Sequence, residues 1–141
     1  MNKGLKIFLI ILLAGLVASI SVVYYAFNKP HRNIYSESPA YSIEAKALYA
    51  GFNNNEKLAN QKYVDKVIQI SGNITELFID DNQVSIVLND VISCELDSSI
   101  FEKNESAINS FKKGGQITLK GKCDGYDRIM GVVLTRCFII E

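Results

Sequence analysis

Few residues in this 141-residue sequence have chemistry to offer. Three are cysteines, Cys94, Cys123 and Cys137. Their spacings are far too wide for a zinc knuckle, and an odd number of thiols permits one intramolecular disulfide at most. The single histidine, His31, stands beside Lys29 and Arg32 and reads as part of a basic flank, which leaves most hydrolytic schemes without a base. Asp80 and Asp81 are adjacent acids that read as solvated turn residues; a Ca²⁺ site there would need further ligands. Lys112, Lys113, Lys120 and Lys122 are the one basic cluster, and they read as a solvated loop and strand face. There is no Gly-rich nucleotide loop, no metal-ligand spacing and no trio of nucleophile, base and orienting group. Asn73-Ile74-Thr75 and Asn104-Glu105-Ser106 match the glycosylation sequon, which matters only in a secretory pathway that reads it. The expectation is a protein that is not an enzyme and carries no metal and no cofactor.

The elements that would position these residues begin with an apolar run. Residues 1–6 form a basic N-terminal flank, and residues 7–27 contain no charge. At about 1.5 Å rise per residue that run reaches roughly 30 Å, the thickness of a bilayer's hydrocarbon. Tyr24, Tyr25 and Phe27 cluster at its end, as aromatic residues do at a membrane interface. A cleaved secretory peptide competes with a transmembrane helix, but Ala18 and Ser19 do not form a convincing cleavage context, and the anchor is favoured. Lys3 and Lys6 precede the run and Lys29 and Arg32 follow it, so orientation is weakly specified. The formal charge of zero is unevenly spread: from Tyr35 onward 11 Lys and Arg face 15 Asp and Glu, a net of minus 4. A nucleic-acid binder usually shows the opposite sign.

Residues 28–38 read as a linker. Residues 39–63 read as a helical lead-in of one or two short helices: Ser38 and Pro39 form a helix start, Tyr41, Ala45, Leu48 and Phe52 share a face, and Asn54 or Asn55 caps a second helix through Leu58, Ala59 and Tyr63. These helices either prop the domain from outside or close its bottom. Residues 64–141 alternate as strands. The stretch from Tyr63 to Ile79 carries Val64, Ile68, Ile70 and Ile74 and, after a slip, Leu77 and Ile79, with Gly72 where a long strand must bend or admit another backbone. A turn at residues 80–83 leads to a strand from Val84 to Leu88, and a third strand runs from Val91 to Leu96. Ser99 and Glu102 have capping-box spacing ahead of a helix with Phe101, Ala107, Ile108 and Phe111 on one stripe, ended by Gly114 and Gly115. Ile117 and Leu119 alternate up to Gly121, Asp124 to Arg128 turns, and Gly131 to Ile140 closes the pattern.

Three strands, a helix and two strands is the order of an OB-fold, a five-stranded Greek-key barrel, so the fold class is mainly β with helices. The chain also resembles the small, often membrane-anchored OB domains called tRNA anticodon-binding-like, through Asn55, Glu56, Ala59, Tyr63 to Lys66, Gly72, Cys94, Lys113, Gly114, Gly121, Cys123, Gly125, Val133, Leu134 and Cys137. The resemblance covers about residues 45–140, treats Gly72 and Gly121 as structural, and implies a cell-envelope setting. OB barrels bind through the second and third strands and the loops between strands one and two and strands four and five. Phe78, Tyr126 and Arg128 are therefore the ligand-binding candidates, since rings and a guanidinium can stack on bases, sugars or peptide planes. The third and fifth strands lie roughly parallel where the barrel closes, so Cys94 and Cys137 are the expected pair if a disulfide forms, with the facing of Cys137 ambiguous by one residue. The functional expectation is a single-pass membrane-anchored binding or interaction module of unknown protein or small-molecule partner, its barrel outside the cytoplasm, with nucleic acid not expected. The alternative is a cytoplasm-facing OB domain that binds nucleic acid, and a third reading is a purely structural envelope protein.

Overall fold

In the computed structural model the described residues are 2–28, 32–80, 83–100, 106 and 108–140. They divide into two compact units, Met1–Arg32 and Asn33–Glu141. The first is helix α1, Lys3–Phe27, which starts a turn earlier than the uncharged run and buries none of its residues. Ser19 and Ser21 donate their hydroxyls to the carbonyls of Gly15 and Val17, each at 2.8 Å, so neither leaves an unmet polar group on the apolar surface. By length and composition α1 can cross a membrane. His31 lies outside the described residues.

The second unit runs β1 (Tyr41–Glu44), α2 (Ala45–Asn54), α3 (Glu56–Tyr63), β2 (Val67–Asp80), β3 (Gln83–Leu88), β4 (Ile92–Leu96), β5 (Gln116–Asp127) and β6 (Gly131–Ile140). β2, β3 and β4 form an antiparallel meander, β5 pairs antiparallel with both β2 and β6, and β4 runs parallel to β6. Those five pairings close a five-stranded OB barrel. Its interior holds Ile68, Ile70, Val84, Ile86, Leu88, Ile92, Leu119, Val132 and Leu134, all fully buried. Leu48 and Phe52 of α2 and Ala59 and Tyr63 of α3 join the same core. The Asn55 side chain caps α3 by accepting from the Leu58 amide at 3.1 Å.

The expected helix start at Ser38 and Pro39 is wrong. Residues 41–44 instead form β1, parallel to β2 with Tyr41 opposite Ile68 and Glu44 opposite Ser71. Tyr41 and Ile43 alternate with exposed Ser42 and Glu44, a period of two that backbone pairing to β2 rewards, and the helix begins only at Ala45. The preceding stretch belongs to the barrel unit: Ile34 is buried, and Lys120 donates to the carbonyls of Tyr35 at 2.7 Å and Glu37 at 3.1 Å. After β4 the Asp97 carboxylate accepts from the Ser99 amide at 3.0 Å and also from the Ser99 hydroxyl, so that hydroxyl is engaged with Asp97. Phe101, Glu102 and Ala107 lie outside the described residues. The expected turn at Asp124 to Arg128 is mostly strand, because a register shift between Cys123 and Gly125 absorbs an extra residue and β5 continues to Asp127.

β2 changes partner midway. Residues 67–73 pair with β5, and residues 74–80 pair with β3. At the changeover a Cβ on Gly72 would lie 2.6 Å from Asn89 Oδ1 and 3.0 Å from the Ala45 Cβ. A bulge at Thr75 then turns Leu77 toward the core, which accounts for the slip in the apolar pattern. In β6, Arg136 takes a φ of 49°, and this bulge brings Cys137 inward out of step with Val132 and Leu134. Cys137 packs its sulfur over Gly121 of β5, where any Cβ would overlap it. Gly72→Ala should therefore cost stability: overpacking costs about 1–3 kcal/mol, offset by about 0.4–1 kcal/mol from a stiffer unfolded chain. Denaturant unfolding of the full chain in detergent should show a lower midpoint at unchanged slope, and an unchanged midpoint would mean the approach to Asn89 and Ala45 is looser than described.

Candidate functional site

Alternation along the strands puts one set of side chains in the core and the other on a concave outer face. On β3 the outward residues are Gln83, Ser85 and Val87, and register places Phe78 and Glu76 of β2 on one side of them and Glu95 and Ser93 of β4 on the other. Val133 of β6 continues the floor beside Ser93. Asp90, from the β3–β4 turn, and Ile129 and Met130, from the β5–β6 turn, raise its ends, enclosing a cleft of about 400 Å³.

The turns that rim this cleft are fixed by named bonds. Asn89 and Asp90 both take left-handed φ values, 52° and 63°, the geometry of a type I′ turn that these residues tolerate, and Leu88 accepts from the Val91 amide to close it. The Asp90 amide donates to Thr75 Oγ1 at 3.0 Å. In the β5–β6 turn, one carboxylate oxygen of Asp127 accepts from the amides of Ile129 at 2.7 Å and Met130 at 2.9 Å. The hydroxyl of Ser93 donates to the Met130 carbonyl at 2.7 Å, and the Val132 amide to the Val91 carbonyl at 3.0 Å. A turn held this firmly still leaves Ile129 94% exposed and Met130 53% exposed, facing Phe78 at 58%.

Of the residues expected to bind, Phe78 lines the cleft. Tyr126 does not: it packs against the core, its ring 6.3 Å from that of Tyr49 on α2. Arg128 is exposed in the β5–β6 turn and is not among the residues that line the cleft. Glu76, Asp90, Glu95, Ile129 and Met130 were missed. The available signal was two apolar residues inside a turn, Ile129 and Met130, with no buried strand position to claim them.

Cleft electrostatics are one-sided. Three carboxylates line it, and among its described lining residues there is no lysine or arginine. Two members of the basic cluster are engaged elsewhere, Lys120 on the carbonyls of Tyr35 and Glu37, and Lys122 on Asp65 at 3.6 Å and Asp124 at 2.5 Å. The thiols are free and buried. Burial pushes Cys123 up to about 11; burial and then a hydrogen bond with the adjacent Cys94 push Cys137 well above the usual thiol range. Neither is a ready nucleophile at neutral pH. Among the described residues, no three His, Cys, Asp or Glu side chains group as a metal site.

A family model for tRNA_anti-like domains matches residues 1–139. The chain belongs to the tRNA_anti-like family. The matched residues include α1 as well as the barrel unit. No curated protein matches the chain in sequence. Among solved structures, the chain is similar to a candidate nucleic acid-binding lipoprotein from Klebsiella pneumoniae subsp. pneumoniae, with 14% identity, a TM-score of 0.52, and coverage of 71% of this chain and 91% of that one. A candidate aspartyl-tRNA synthetase from Leishmania major has 10% identity and a TM-score of 0.48, covering 73% of this chain and 21% of its own. The S. pombe Stn1-Ten1 complex has 18% identity and a TM-score of 0.39, covering 53% and 58%. At such identities the likeness to the lipoprotein is one of fold.

The Asp127 bonds make a pH-dependent prediction. The amides of Met130 and then Ile129 hold its carboxyl below the usual carboxylate range. A depressed folded value means the stabilisation is present above the unfolded value, near 4, and is lost as pH falls through the folded one. Amide-exchange protection of Ile129 and Met130 should therefore persist at neutral pH, fall only below about pH 4, and be absent at every pH in Asp127→Ala. Equal protection in the variant would assign the turn's rigidity to Ser93 and Val91 alone.

Proposed function

We propose that this tRNA_anti-like protein is a membrane-anchored, non-catalytic binding module whose barrel stands outside the cytoplasm and receives a protein or small-molecule partner in the cleft over β3 and β4. The carrying observation is the fixed β5–β6 turn, which spends two carboxylate hydrogen bonds and the Ser93 hydroxyl to hold Ile129 and Met130 in solvent opposite Phe78. Exposed apolar side chains clustered on a concave face are what interaction sites present. For the anchor, support comes from the 25-residue length of α1, the absence of charge over its residues 7–27, and the inclusion of that helix in the family match. A non-catalytic role is supported by the thiols lying buried and by the commitment of the cleft's Ser93 hydroxyl to a backbone carbonyl.

A second reading, a nucleic-acid-binding domain, is favoured by the name of the Klebsiella lipoprotein, and that likeness gives no support to the expectation against nucleic acid. The acidic lining of the cleft opposes it. Topology and site can be tested together. An alkaline phosphatase fused after the last strand should be active, and crosslinking from intact cells should recover a partner that Phe78→Ala reduces severalfold while the variant stays folded. An inactive phosphatase with a fluorescent cytoplasmic fusion would overturn the outside placement and favour the second reading.

A further inference from the structure

We infer that the cleft takes an extended cationic polypeptide segment, with Lys or Arg side chains alternating with apolar ones. This rests on the cleft being the binding site, and it adds the chemistry of the occupant.

Charge comes first. Glu76, Asp90 and Glu95 all line the cleft, and no described lining residue is a lysine or arginine to offset them. The carboxylates are spread along the sheet, not gathered at one point: Glu95 sits opposite Ser85, Glu76 opposite Val87, and Asp90 beyond Leu88. Three steps of strand from Ser85 to Leu88 at about 3.3 Å each make roughly 10 Å before the turn that carries Asp90, too far for one ammonium group and a match for about four residues of extended chain. A single nucleic-acid strand laid along the same path would set its backbone phosphates against these carboxylates. At physiological salt, screening acts over about 8 Å, so direct contacts of this kind are not screened away.

The apolar groups fit the same occupant. Phe78 flanks the floor on the β2 side, and Ile129 and Met130 stand at the β5–β6 turn, so apolar side chains of a segment crossing the floor would meet a surface on either flank. Strand addition is excluded on the floor itself, because β3 is bonded to β2 and β4 on its two edges, and β4 to β3 and β6. Recognition is therefore through side chains, with alternate residues of the segment directed to carboxylates and to apolar rim. The half-buried Ser85 on the floor is placed to meet the segment's backbone.

The test uses the full chain in nonionic detergent and three fluorescein-labelled probes read by anisotropy: a heptapeptide alternating Lys and Val, the same peptide with Glu for Lys, and a single-stranded oligothymidylate. The Lys peptide should bind saturably and the Glu peptide should not. Glu76→Gln combined with Asp90→Asn should weaken the Lys peptide about tenfold, the scale of two screened ion pairs, and Phe78→Ala should weaken it severalfold. Both carboxylates are exposed, and Asn suits the left-handed backbone at position 90, so these variants keep the fold. Oligothymidylate binding that Phe78→Ala reduces would keep the cleft as the site and overturn the cationic occupant. No saturable binding of the Lys peptide up to about 1 mM, or binding unchanged in the carboxylate variant, would also overturn it. Bound probes indifferent to both Phe78→Ala and Met130→Ala would remove the cleft reading as well.

Discussion

The structure depends on one strand having two partners. β2 must leave β5 and join β3 within two residues, or the barrel stays an open sheet. The changeover frees backbone groups that would otherwise be orphaned, and side chains from the next turn meet them: Asn89 Oδ1 accepts from the Asn73 amide at 3.2 Å, and Asn73 returns its carbonyl to the Asn89 amide at 2.9 Å. Thr75, at the bulge, donates to the Val87 carbonyl at 3.1 Å while accepting from the Asp90 amide. The bonds that let the strand bend thus also set the β3–β4 turn. That turn in turn offers the Val91 carbonyl to β6, so the bend, the position of Asp90 and the seat of the β5–β6 turn form one connected constraint.

This connectivity explains which parts of the fold were legible in the sequence. Strands β2, β3, β4 and β6 carry period-two patterns, and the slip between Ile74 and Leu77 is visible because both flanking segments are long enough to show their phase. The uncertainty at Cys137 was of the same kind, but after the Arg136 bulge Cys137, Phe138, Ile139 and Ile140 are apolar at every position, and a run without alternation does not fix the phase. Residues 41–44 were misread because Tyr41, Ala45, Leu48 and Phe52 do lie at helical spacing. Tyr41 belongs to that set by coincidence, and nothing local reports that β2 will offer an edge to pair with. The same logic misplaced Asp124 to Arg128: Asp, Gly, Tyr and Asp describe a backbone that tolerates turning, whereas the pairing to β6 decides whether it turns.

The site was less legible than the fold. Phe78 could be found because the OB architecture names the loop it borders. Tyr126, equally aromatic and equally near a loop, is spent on packing against Tyr49, and only tertiary geometry separates the two cases. The carboxylates were invisible as a group, since Glu76, Asp90 and Glu95 come from three elements and each reads as an ordinary outward strand or turn residue.

Equal numbers of cations and anions, 15 of each, would suggest a surface without preference. That balance is upset by where the charges are used. Lys120 and Lys122 act within the barrel unit, tying down the segment before β1 and the carboxylates of Asp65 and Asp124, while the lining carboxylates of Glu76 and Asp90 are exposed. An OB face that handles nucleic acid joins stacking rings to a basic groove. This chain has a ring at Phe78 and a fixed turn beside a groove lined by carboxylates. Because the turn is held by Asp127 and Ser93 before any partner arrives, little ordering entropy remains to be lost there on binding. The apolar area of Ile129 and Met130 can then be buried at close to its full worth, roughly 25 cal/mol per Å². Fold alone assigns no ligand, and the cationic occupant we propose rests on the side chains placed on that fold.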